Sequence, residues 1–171
     1  MTAALRWTVT VGLVAVALVL QITFFPHVAW HGVVPNLCLL VVVAAALVRG
    51  PEQAAVLGFV AGVLLDLAPP ADHVAGRWAL ALVIVGYVAG RMRQDTKPTA
   101  VAVVTTVAAA SFVGTSVYAL SGLLLQDPVV SVSDLLPVIA VAVVWDVLLT
   151  PFVLPPVMRL FSALEPAQAH V

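Results

Sequence analysis

The chain has 171 residues, 63% of them hydrophobic and only 9% charged, with a net charge of −1 and a mean hydropathy of +1.18. A soluble domain carries roughly 25% charged residues, and so few charges cannot cover a surface facing water, so the composition specifies an integral membrane protein. There is no basic patch to neutralise phosphates, which excludes nucleic acid as a partner, and the single Cys38 excludes an internal disulfide and any Cys–Cys metal site.

At ~20 residues per crossing, the chain accommodates six spans in one polytopic domain over residues 1–171, an all-α integral membrane bundle of six transmembrane helices. The first span is expected at about residues 7–25. Arg6 precedes it, as in a secretory signal, but the run ends in the bulky Gln21-Ile-Thr-Phe-Phe-Pro26 rather than in the small residues of a cleavage site, so it reads as a retained span. The link that follows holds His27, Trp30, His31 and Gly32 without Lys or Arg. His27 and His31 are four apart, a spacing compatible with metal on a helix, yet beside Pro26 and Gly32 they read as interfacial residues next to an aromatic belt. Pro35-Asn36 opens a short second span, about residues 36–48, which Arg49-Gly50-Pro51 stops.

The third span, about residues 53–68, follows Glu52 and halts at Pro69-Pro70. It contains Gly58-Phe-Val-Ala-Gly62-Val-Leu-Leu-Asp66, in which Gly58, Gly62 and Asp66 recur every four residues and share one helix face. Glycines so spaced admit a neighbouring helix closely. A carboxylate on that stripe facing lipid would cost at least ~2.5 kcal/mol, so Asp66 is expected to face protein. After a link with Asp72, His73, Gly76 and Arg77, the fourth span, about residues 78–90, contains Gly86-Tyr-Val-Ala-Gly90, nearly a copy of Gly58–Gly62. Gly58, Gly62, Asp66, Gly86 and Gly90 are therefore candidates for helix packing or partner binding. An ion pair of Asp66 with Arg77, or with His73, would clasp the third span to the fourth; a binding site at Asp66 is the alternative.

The polar loop of Arg91, Arg93, Asp95 and Lys97 leads to the fifth span, about residues 99–125. Ser111, Gly114, Thr115, Ser116, Ser121 and Gly122 make it the span richest in small residues, which is expected of a helix at the centre of a bundle. The sixth span, about residues 135–160, follows a link with Asp127 and Asp134. It carries Pro137, Pro151, Pro155 and Pro156, each of which removes a backbone donor and tends to kink a helix. The tail from Ser162 onward is expected to be unstructured. Asp146 lies near the middle of the sixth span, with Thr150 one turn further on the same face. Two readings of it stay open: an acid serving a proton, an ion or a substrate, and a structural carboxyl bonded to a hydroxyl or a freed backbone donor. Asp146 is nearly alone among polar groups, which favours structure over transport.

Lys and Arg set the orientation. With the N-terminus inside, Arg6, Arg49, Arg91, Arg93, Lys97 and Arg159 collect on the cytoplasmic side and only Arg77 on the other, so both termini are expected in the cytoplasm. The sequence contains no Gly-x-Ser-x-Gly elbow, no His-Glu-x-x-His and no Walker loop, and no histidine within a span to serve Ser111 and Asp146 as a base. Neither an enzyme nor a cofactor is expected.

Pro35-Asn36-Leu37, Arg49-Gly50, Gly58-x-x-x-Gly62-Val-Leu-Leu-Asp66, Pro69-Pro70, Gly76 and Gly86-Tyr87-x-x-Gly90-Arg91 together resemble the rod shape-determining MreD family over about residues 35–91. The resemblance implies a non-enzymatic, multi-pass protein of the bacterial inner membrane that belongs to the cell-elongation machinery. Such a protein would bind the single-pass MreC, and through it MreB, the glycosyltransferase RodA and a class B penicillin-binding protein, helping to control cell shape and peptidoglycan synthesis. It implies a fold similar to the six-helix substrate-binding subunits of energy-coupling-factor transporters. That likeness supplies the alternative function, a vitamin-type substrate-binding subunit, for which the outer links offer His27, Trp30, His31, Asp72, His73 and Trp78. A third reading, a proton-coupled transporter, rests on Asp146 alone.

Overall fold

The computed structural model describes residues 2–69, 74–93, 98–126 and 135–165. Its elements are α1 (Ala3–Thr23), a 3-10 turn (Phe25–Val28), α2 (Leu37–Arg49), α3 (Pro51–Leu67), α4 (Arg77–Arg91), α5 (Ala100–Leu124) and α6 (Leu135–Leu164). Three of them, α1, α5 and α6, are long and apolar enough to cross a membrane. The other three have 13, 17 and 15 residues, which at ~1.5 Å per residue makes them roughly 20–26 Å long, shorter than a ~30 Å hydrocarbon core.

The central helix is α2, not the small-residue-rich α5. Every residue from Leu37 to Leu47 is buried, and α2 packs against all five other helices. Its sequence, Leu-Cys-Leu-Leu-Val-Val-Val-Ala-Ala-Ala-Leu-Val, has no polar face, and a helix that is apolar all round belongs inside. In α5 the small and hydroxyl residues Ala110, Ser111, Gly114, Thr115 and Gly122 form one buried stripe, while Val101, Phe112, Leu120 and Leu124 face outward. Small residues thus mark a contact face of α5 rather than a central position.

Between α2 and α3 the chain reverses at a single residue. Gly50 has φ 89° and ψ −178°, Pro51 starts α3, and the Gly50 N–H closes α2 on the Ala46 carbonyl at 3.1 Å. A side chain at that φ would be strained, and Pro51 suits a first helical position because no donor is needed there. The link before α2 is also tight: Trp30 and Val33 exchange backbone hydrogen bonds of 3.1 and 2.9 Å across His31 (φ 51°) and Gly32 (φ 76°).

Helix α6 runs unbroken through Pro151, Pro155 and Pro156. Its buried stripe, Asp146, Thr150, Leu154, Val157, Phe161 and Leu164, recurs every three or four residues, and all three prolines lie on the exposed side. The missing N–H groups fall on the outer face, while continuous packing holds the inner one, which is where most helical stability comes from. The helix also continues past Ser162 to Leu164, so this part of the expected tail is structured.

Candidate functional site

The two Gly-x-x-x-Gly segments pack against each other. A Cβ added at Gly58 would meet the Leu82 backbone, and one at Gly62 the backbone of Trp78 and Ala79. From the other side, Gly86 lies against Ala54 and Gly90 against Pro51 and Gly50. All four approaches are closer than 3.0 Å and all are to backbone, so α3 and α4 form an antiparallel seam that only glycine permits at these positions. Because each glycine face is covered by the other helix, neither is open to a separate partner.

Asp66 sits at the end of that seam and is 3% exposed. Its carboxylate accepts hydrogen bonds from the backbone N–H groups of Gly76 (2.8 Å), Trp78 (3.1 Å) and Ala79 (3.1 Å). These are donors that the first turn of α4 cannot satisfy internally, and a negative charge there also complements the helix dipole. The carboxylate of α3 therefore caps α4. Arg77, at the same end, donates from Nη2 to the Tyr118 carbonyl at 2.9 Å, and its guanidinium lies 4.0 Å from the centre of the Tyr118 ring. Tyr118 in turn stacks on Trp78 at 4.2 Å, so this corner ties α4 to α5 as well as to α3. Asp72 and His73, the latter an expected partner of Asp66, lie outside the described residues.

Asp146 performs the same kind of task for α2. It is 1% exposed and accepts from the Asn36 backbone N–H at 2.8 Å and from the Ser111 hydroxyl at 2.7 Å. Asn36 is the N-cap of α2 and accepts from the Leu39 N–H at 2.9 Å through its own side chain. Gln21 of α1 accepts from the Cys38 N–H at 3.3 Å. Side chains from α1 and α6, with the cap residue itself, thus satisfy the start of the central helix where no water reaches it. Thr150 shares the face of Asp146, but its hydroxyl donates to the Asp146 backbone carbonyl at 2.8 Å rather than to the carboxylate. The hydroxyl partner of the acid is Ser111.

At the opposite end of α2 lies a cluster that nothing in the sequence pattern brought together. Arg49 pairs with Glu165 at 2.9 Å, donates to the Thr10 hydroxyl at 2.9 Å and covers the Phe161 ring at 4.5 Å. Arg6 pairs with the other oxygen of Glu165 at 2.7 Å. One acid just past α6 therefore joins α1 and α2, from a stretch that the sequence leads one to expect unstructured. Among the described residues no group of three His, Cys, Asp or Glu side chains is placed to hold a metal. His27 is exposed, with Nδ1 3.2 Å from the Phe24 carbonyl, and the ring of His31 tilts against Trp30.

Both intramembrane acids and all four seam glycines take part in holding helices together. Each buried carboxylate holds the start of a neighbouring helix, and the glycines hold two helices at contact distance. No curated protein and no solved structure matches the chain. The family described as rod shape-determining protein MreD matches residues 1–160, nearly the whole length. Cell-shape determination at the membrane is the role that this match carries, and the chain belongs to the MreD family.

Proposed function

We propose that this protein is a non-enzymatic scaffold of the bacterial cell-elongation machinery, spanning the inner membrane six times with both termini in the cytoplasm. In this reading it binds MreC, a single-pass protein, and through it MreB, RodA and a class B penicillin-binding protein, so that it influences where peptidoglycan is made. The observation that carries the reading, beside the family, is the use of both intramembrane acids. The described partners of Asp66 and Asp146 include the first N–H groups of α4 and α2, a building task that suits a rigid platform. The seam of Gly58, Gly62, Gly86 and Gly90 gives that platform its shape, and Asp66 together with Arg77 locks its α4 end. A fold similar to the substrate-binding subunits of energy-coupling-factor transporters belongs to the same proposal.

The test is recovery of partners after solubilisation in a mild detergent. An affinity-tagged chain is expected to bring down an MreC-like protein, and a strain lacking the chain is expected to lose normal elongation. Recovery of an ATP-hydrolysing transport module in place of a cell-wall protein would overturn the scaffold reading in favour of substrate binding.

A further inference from the structure

Helices α1 and α6 do not close on each other over the first turns of α2. They leave a groove of about 310 Å³, walled by Leu13, Ala17 and Leu20 of α1 and Val157 of α6 and floored by Leu37 and Val41 of α2. Its lining is apolar throughout. Along α1 the groove covers Leu13 to Leu20, roughly 10 Å at the helical rise, so its mean cross-section is on the order of 30 Å². A helix ~10 Å across has a cross-section of roughly 80 Å² and would enter the groove with one face only. A single extended hydrocarbon chain is the narrower object that fits.

The basic residues lie beyond the Leu13 and Leu160 end of the groove, Arg6 two turns from Leu13 along α1 and Arg159 next to Leu160. Thr10, one turn from Leu13, is bonded to Arg49, and Phe161, next to the groove-lining Leu160, lies under the same guanidinium. Arg6 and Arg49 share the single carboxylate of Glu165, leaving one positive charge in excess, and the exposed Arg159 adds another beside Leu160. Arg6 Nε and Arg49 Nη2 are buried without a hydrogen-bond partner among the described residues. Buried guanidinium donors lacking an acceptor are costly, and phosphate is the acceptor that their geometry favours.

We propose that this groove binds one anionic phospholipid, with an acyl chain between α1 and α6 and its phosphate at Arg6. The lipid belongs to the leaflet on the Arg6 side, which is the cytoplasmic one in the orientation proposed above. It fills the space between α1 and α6 above Leu37 and Val41 of α2.

Native mass spectrometry of the purified full-length chain, with phosphatidylglycerol or phosphatidylcholine added, tests the proposal. One phosphatidylglycerol is expected to bind about fivefold or more tightly than phosphatidylcholine, the effect of one well-placed basic residue. Val16→Trp adds bulk at an exposed position on the groove wall and is expected to reduce that binding without lowering the unfolding temperature. Leu20→Trp, also exposed, repeats the measurement if the first variant is unstable. Arg6→Gln is expected to abolish the preference between the two lipids while leaving the weaker binding. Equal binding of both lipids by the unaltered chain, or unchanged phosphatidylglycerol binding in both tryptophan variants, overturns the proposal. So does loss of a co-purifying single-pass protein from those variants while lipid binding persists, which would make the groove a helix site. A chain that binds the lipid yet does not support elongation would sink the scaffold reading and leave the lipid site standing.

Discussion

Asp146 accepts one hydrogen bond at each carboxylate oxygen, from a backbone N–H on α2 and a hydroxyl on α5, and both donors are buried with it. Removing the acceptor leaves two unpaired donors in the interior, at about 1–3 kcal/mol for each group. Asp146→Ala is therefore expected to destabilise the protein by several times RT. Asp146→Asn keeps one oxygen for the Asn36 N–H, and its amide can donate to the Ser111 oxygen, so the loss is expected to be less than half as large. Urea or thermal unfolding in detergent micelles measures both. If Asn proves as damaging as Ala, the negative charge itself is needed and the capping account is insufficient. The sequence puts this acid on one face with Thr150 and leaves its task open between chemistry and structure. It is unable to name Asn36 as the partner, because the two are 110 residues apart and only the packing of α6 on α2 brings them together.

Helices α3 and α4 depend on backbone approach, and this makes their glycines unlike others in the chain. Gly62→Leu or Gly90→Leu would drive a side chain into main-chain atoms that have no rotamer to move aside. Overpacking of this kind costs typically ~1–3 kcal/mol, and backbone neighbours place these variants at or above the upper end. Gly12, where an added Cβ meets nothing within 4 Å, is the control: Gly12→Ala is expected to be neutral or to stabilise α1 by up to ~1 kcal/mol. Unfolding midpoints of the three variants decide the matter, and a Gly62→Leu protein as stable as Gly12→Ala would mean that the seam is not as close as described. Two glycines four apart say that a neighbour comes close, but the spacing does not say whether that neighbour is the next helix or a separate partner. The helix limits were legible, since Pro35-Asn36 and Arg49-Gly50-Pro51 bracket Leu37–Arg49 with chemistry that starts and stops helices. The small residues of α5 point to a contact face, and it is the absence of any polar face on α2 that marks the centre of the bundle. For the prolines, the cost depends on which face of α6 they occupy, and a count of them does not say.

For the molecule as a whole, the proposal of six crossings can be compared with where its ends meet. Three helices have the length to cross alone, and a chain crossing three times would put its termini on opposite sides. Arg6, near the start of α1, instead bonds Glu165, just past α6, at 2.7 Å, which supports an even number of crossings, as the proposed six would give. The shortness of α2 is then accommodated by the helix starting below the surface, where Asp146, Asn36 and Gln21 take the place of water at its first turn. In the proposed six-span arrangement, six Lys and Arg residues on the side of the termini against Arg77 alone on the other favour the cytoplasm for that side. A fluorescent protein that matures only in the cytoplasm is expected to be bright when fused to either terminus, and a phosphatase that folds only outside is expected to be inactive at both. Activity of the phosphatase at one end alone would give an odd number of crossings, separating Arg6 from Glu165 by the thickness of the bilayer and removing the basic cluster on which the lipid site depends.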